Sequence, residues 1–164
     1  MIVNLKLKLK LNRKQKIKLR QFINNLILIT VKFFTLFTIG GGIYTLLELL
    51  YRGKSNISMF ILGGLCFTLI GAINNYIDWN MPLYKQMFIG SIIITSLEYV
   101  TGYIVNLRLG WNVWDYSNLP FNLNGQICLY FYILWYFISL LAIILDDYLR
   151  YKLFDEKLPK YKYF

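Results

Sequence analysis

The residues able to do chemistry in this chain are few, and one kind is missing altogether. There is no histidine among the 164 residues. Serine–histidine and cysteine–histidine catalysis, HExxH zinc sites and histidine-ligated haem are therefore excluded. The two cysteines, Cys66 and Cys128, each sit inside an apolar run without a CxxC pattern, so they read as small hydrophobes rather than a disulfide or metal ligands. Carboxylates remain. Glu98 stands within an apolar run, about eight residues, or about 12 Å, from its end. A lone ionised carboxylate at that depth has to be paired, water-exposed or protonated. Glu48 lies near the end of another run, and Arg52 follows one helical turn later, a spacing that suits a local ion pair. A protonated carboxylic acid beside an ionised one can protonate an alkene or activate water. The same groups can instead hold a polar or cationic solute.

One motif is set aside. "RGKS", Arg52 to Ser55, matches the tail of a phosphate-binding P-loop, but that loop needs a glycine where this chain has Glu48, and a strand before it. No other nucleotide, cofactor or metal pattern is found.

The elements that must position these residues are read from composition. The chain is 57% hydrophobic and 18% aromatic, too apolar for a soluble domain of this size. Its charges are pushed to the ends: eight of the eighteen Lys and Arg fall in the first twenty residues and five from Arg150 onward. Basic ends around apolar spans point to anionic lipid and the positive-inside bias rather than to nucleic acid. Four runs are long enough to cross a bilayer: Leu26 to Leu50, Ile57 to Ile77, Met87 to Val105 and Ile127 to Leu145. Short connections imply antiparallel neighbours. The expectation is an all-α integral membrane protein of about four transmembrane helices in a compact bundle. Residues 1–25 read as a basic juxtamembrane tail, 26–148 as the membrane domain and 149–164 as a second basic tail. The first run is too long and lacks the cleavage site of a signal peptide, so it reads as a retained anchor. "LKLKLKLN" alternates with period two, but a basic segment on lipid headgroups is a plainer reading than an isolated strand.

With the N-terminus inside, fourteen Lys and Arg lie on the inner side and three, Arg52, Lys54 and Arg108, on the outer side. Both termini are thus predicted cytoplasmic, in the cell membrane, and the loop 106–126 outward. Small and polar residues recur at steps of three and four, as in Thr38, Gly41, Thr45, Glu48 and Arg52, and so share one helix face for close packing. Asn74 and Asn75 read as interhelical hydrogen-bond partners. Asp78, Asp146 and Asp147 read as solvated at the inner boundary. At the outer end, Glu48, Arg52, Glu98 and Asn106 meet the loop "GWNVWDYSNLPFNLNGQ". Asp115, Tyr116, Asn122 and Gln126 are expected to close over them as a lid on a polar pocket, with Trp111 and Trp114 as interfacial anchors. An aromatic belt with turn-forming Asn and Pro would use the same residues.

The stretches "GGGIYTLLELLYRG", "SMFILGGLCF", "SLEYVTGYIVN", "WDYSNLPFNLNGQICL" and "ILWYFISLLAIILDD" together resemble the putative ABC-transporter type IV family of bacterial membrane proteins, over about Gly40 to Arg150. The residues that carry the match include Glu48, Arg52, Glu98, Asn106, Trp114, Asp115, Tyr116, Asn122 and Gln126. The resemblance implies a transporter permease. Such a protein would need a separate cytoplasmic ATPase, since no nucleotide-binding motif is present, and oligomerisation to complete a pathway from so few spans.

Three functions are then open. One is a transport subunit whose outward pocket binds a polar or cationic solute and whose inner loop "DWNMPLYK" docks the ATPase. Another is an intramembrane acid/base enzyme on a lipid or isoprenoid, with Glu98 as the acid. The third is a non-catalytic scaffold whose polar residues only specify helix pairing.

Overall fold

The computed structural model describes residues 12–76, 81–158 and 160–162. Most of the alternating basic segment, Asp78 and the side chain of Asn75 lie outside what is described. The chain is helical: α1 (Arg13–Arg52), α2 (Ile57–Gly71), the single turn α3 (Ile73–Tyr76), α4 (Leu83–Gly102) with a π-helical extension (Tyr103–Arg108), and α5 (Leu129–Phe154). Two short strands, β1 (Asn122–Leu123) and β2 (Ile127–Cys128), pair antiparallel just before α5.

Among the described residues, three helices are long and apolar enough to cross a membrane: α1, α4 with its extension, and α5. The all-α membrane architecture expected from the apolar runs is the one observed. The second run, expected over Ile57 to Ile77, is helical in two pieces: α2 stops at Gly71 after 15 residues, Ala72 N bonds to the Thr68 carbonyl at 3.1 Å, and the single turn α3 follows to Tyr76. The first helix extends beyond its apolar run, beginning well before Leu26. Asn12 and Gln15 explain this: Asn12 Oδ1 accepts from Gln15 N at 2.9 Å, while Gln15 Oε1 accepts from Asn12 N at 2.9 Å. This reciprocal capping box satisfies two backbone donors and starts the helix within the basic stretch.

The chain divides into two compact units, Met1–Phe33 and Phe34–Phe164. In the first, every described residue up to Val31 is exposed, apolar ones such as Phe22 and Ile29 included. The second holds the core, with Leu62, Ile70, Ile94, Trp135 and Ile143 buried. Within it, α1 and α2 exchange aromatics for glycines. The Phe67 ring fills the place of a side chain at Gly40, and Tyr44 that at Gly63. A Cβ at Gly41 would stand 2.5 Å from the Phe60 carbonyl oxygen, and one at Gly64 2.7 Å from that of Phe37. Small residues permit this backbone approach, which is how helices associate where lipid removes any hydrophobic drive between them. Between α4 and α5, Gly90 faces the buried Ser139 in the same way.

The end of the bundle away from the loop is tied by charge. Gly71 of α2 lies against the carboxylate of Asp146, which pairs with Arg150 one turn along α5. Asp147 accepts from Asn74 at 2.7 Å and from the Tyr161 hydroxyl at 2.8 Å. The C-terminal tail returns to the start of α4, where Leu83 N donates to the Lys162 carbonyl at 2.7 Å. Asp146 and Asp147 are therefore not solvated, as the sequence suggests, but 0% and 5% exposed. Partners from α2 and from the tail cover them. At the opposite end of α1, Gly53 adopts φ +69° and its N–H bonds to the Leu49 carbonyl at 2.9 Å. The glycine of "RGKS" is a helix stop, which needs the left-handed conformation and not a phosphate.

Candidate functional site

The candidate residues gather where α1, α4 and α5 meet the loop that joins α4 to α5. The π extension starts this arrangement. Its wider turn, seen in Leu109 N donating to the Ile104 carbonyl at 2.9 Å, inserts a residue and turns Asn106 into the loop. Asn106 Nδ2 donates to the Trp114 carbonyl at 3.1 Å and to Gln126 Oε1 at 2.8 Å, and its Oδ1 accepts from Val113 N at 2.7 Å. Trp114 Nε1 donates to the Gln126 carbonyl at 3.0 Å. Gly102 must lack a side chain, because Gln126 and Trp114 fill that space.

Beyond Trp114 the loop is a hairpin. Asn124 and Gly125 take φ of +52° and +66°, and Gln126 N bonds to the Leu123 carbonyl at 3.0 Å. Two consecutive left-handed residues are what a tight type I′ hairpin turn requires, and Asn-Gly supplies them at low cost. Tyr116 N donates to the Gly125 carbonyl at 2.7 Å, clasping the hairpin to the rest of the loop. Asn122 Nδ2 holds the Leu119 carbonyl at 2.7 Å, while its Oδ1 accepts from Gly125 N at 3.1 Å. Asp115 Oδ1 accepts from the Ser117 hydroxyl and from Ser117 N, contacts that hold its carboxyl below the usual carboxylate range.

Two carboxylates anchor the loop to the helices. Glu48 pairs with Arg52 and accepts from Ser55 Oγ at 2.6 Å; Arg52 also donates to the Val113 carbonyl at 3.0 Å. Glu98, 1% exposed, accepts from the Tyr116 hydroxyl at 3.0 Å and from Trp135 Nε1 at 2.8 Å. The Tyr116 ring stacks on Phe131 at 4.4 Å. Burial, with the Glu98 carboxylate beside it, pushes the Tyr116 hydroxyl up, so it remains a donor.

The residues singled out in sequence thus fall into three groups. Glu48 and Arg52 hold Val113; Asn106 and Gln126 hold Trp114; Glu98 holds Tyr116. Asp115 is exposed and turned to Ser117, and Asn122 is spent within the loop. Trp111 is half exposed, whereas Trp114 is buried at the centre of the loop's hydrogen bonds. Trp135 and Tyr44 are additions. Trp135 shares a face of α5 with Ser139, Ala142 and Asp146 at steps of three and four, but its donation to Glu98 depends on how α4 and α5 pack, which spacing along one helix does not give.

Below the loop a cavity of about 440 Å³ lies among α1, α2, α4 and α5. Its walls are almost wholly apolar, with Leu62, Ile94, Ile138 and Leu145 among them. Glu98 is the acidic residue on its lining, beside Tyr44 and Trp135, whose rings are 6.2 Å apart. Among the described residues no Lys or Arg pairs with Glu98. Nor does any group of three His, Cys, Asp or Glu there stand ready to hold a metal ion. The arrangement offers one buried acceptor carboxylate, fixed by two neutral donors, at the wall of a greasy chamber.

A family model described as Putative ABC-transporter type IV matches residues 14–161, most of the chain. No curated protein and no solved structure matches it.

Proposed function

The chain belongs to the Putative ABC-transporter type IV family, and on that premise we propose that this transport-related membrane protein is a permease-like subunit with its substrate site under the loop. The observation that carries the reading is Glu98: a carboxylate buried at a cavity wall without a cationic partner among the described residues. Intramembrane carboxylates are costly and are kept mostly where a ligand or proton passes. Glu48, Arg52, Asn106, Asp115, Tyr116, Asn122 and Gln126 shape the loop as the lid of that site, and Tyr116 reaches from lid to carboxylate.

Both termini face the cytoplasm and the loop faces outward, in the cell membrane, on the distribution of Lys and Arg. The energy source is a separate ATPase, the kind of partner that the family's description implies. It docks on the cytoplasmic connection ahead of α4. Association of several copies in the lipid bilayer completes the pathway. The test is mass spectrometry of proteins that co-purify with the tagged chain from gently solubilised membranes. A stoichiometric ATPase is expected; the chain alone, or with copies of itself only, would overturn the reading.

A further inference from the structure

The cavity says what kind of substrate the site would take, an inference that rests on the permease reading. A polar solute such as a sugar or peptide would find its hydrogen-bonding groups unmet against walls of Leu, Ile and Phe. A neutral hydrocarbon would gain nothing from Glu98. The chamber is of ligand size, since small-molecule sites run to roughly 300–1,000 Å³. Where its lining meets the outside, the exposed residues are Ile43 and Leu47 of α1 and Leu141 of α5, all apolar. The mouth of the chamber is thus apolar and lies on α1 and α5.

At the polar end the three groups agree on charge. The Glu98 carboxylate has its two oxygens each held by one neutral donor, which leaves further acceptor capacity and no neutralising cation among the described residues. Tyr44 and Trp135 line the cavity beside it, and aromatic rings attract cations in desolvated settings. We propose that the cavity binds a lipophilic monocation, its apolar body among the aliphatic walls of α1, α2 and α5 and its charge against Glu98, Tyr44 and Trp135.

The probe is radiolabelled tetraphenylphosphonium, with the full chain in nanodiscs and triphenylphosphine oxide as neutral competitor. Saturable binding of one probe per chain is expected, without competition by the neutral compound. Glu98→Gln should weaken binding at least tenfold. Ala142→Phe, which puts a ring into the cavity, should do the same, and Ile144→Phe, on the exposed face of the same helix, should not. Partitioning that never saturates, equal binding by the Glu98→Gln chain, or displacement by the phosphine oxide would each overturn the proposal. If Glu98→Gln fails to fold, Ala142→Phe and the neutral competitor decide it. An ATPase that co-purifies with a chain unable to bind the probe leaves the permease reading standing and removes this one. Probe binding by a chain that recruits no ATPase does the reverse.

Discussion

Trp135 Nε1 donates to Glu98 Oε2 at 2.8 Å, so the carboxylate on α4 is held from α5. The other oxygen is held from the loop by Tyr116. One buried acid thus reports on two packings at once, helix against helix and lid against bundle.

Removing either donor leaves a buried acceptor short of a partner. Trp135→Phe and Tyr116→Phe should each destabilise the protein by about 1–3 kcal/mol. The double variant should depart from the sum, because both bonds end on one carboxylate. Thermal unfolding of the four proteins in one detergent measures the coupling; strict additivity would show that the two bonds act on Glu98 independently.

The glycine exchange between α1 and α2 separates residues that look alike in sequence. Gly64→Leu should cost several kcal/mol or prevent folding, since a Cβ alone would stand 2.7 Å from the Phe37 carbonyl oxygen. Gly42→Ala meets nothing within 4 Å and should be neutral or stabilising by up to about 1 kcal/mol. Melting temperatures of the two variants against the parent decide this.

Breaking the Asp146–Arg150 pair should be among the most damaging single changes. Arg150→Met strands a carboxylate of 0% exposure, at a cost of about 3–5 kcal/mol. Adding Asp146→Asn should recover part of that loss, because the stranded charge goes. A double variant no more stable than Arg150→Met would contradict this account. Reversible unfolding in mixed micelles is the assay.

The loop should loosen in acid through Asp115. Its carboxyl sits below its ordinary value because Ser117 donates to the ionised form. A folded-state value lowered in this way adds stability that is present above the unfolded value, about 4 for Asp, and is lost as pH falls through the folded one. Amide exchange at Ser117 should therefore rise as pH drops below about 4, after correction for its intrinsic rate. Asp115→Asn keeps an acceptor but cannot titrate, so it should flatten that dependence; an unchanged profile would assign it to another group.

Much of this was legible before any fold was known, and the reasons differ by residue. The apolar runs gave the helices, since length and hydropathy are properties of the run itself. Glu48 and Arg52 were paired by spacing along one helix, and they are paired. The early start of α1 is carried by Asn12 and Gln15, whose spacing is that of a capping box. The burial of Asp146 and Asp147 was missed for a deeper reason. Both stand at the end of an apolar run, where solvent is the default, and their cover comes from Asn74 and Tyr161, distant in the chain. Trp114 reads as an anchor from its residue type, and its burial comes from bonds that spacing does not give: Asn106 donates to its carbonyl, and its indole donates to the Gln126 carbonyl.

The interruption of α2 at Gly71 has a consequence for how load passes along the second run. Ala72 N still bonds to the Thr68 carbonyl and α3 resumes with a single turn, so the run is two rods with a joint between them. Gly71 and Asn74, on either side of the joint, meet neighbouring carboxylates of α5, Asp146 and Asp147. A joint clamped on both sides resists bending, which fixes this end of the helix that supplies Leu62 and Ile70 to the cavity wall.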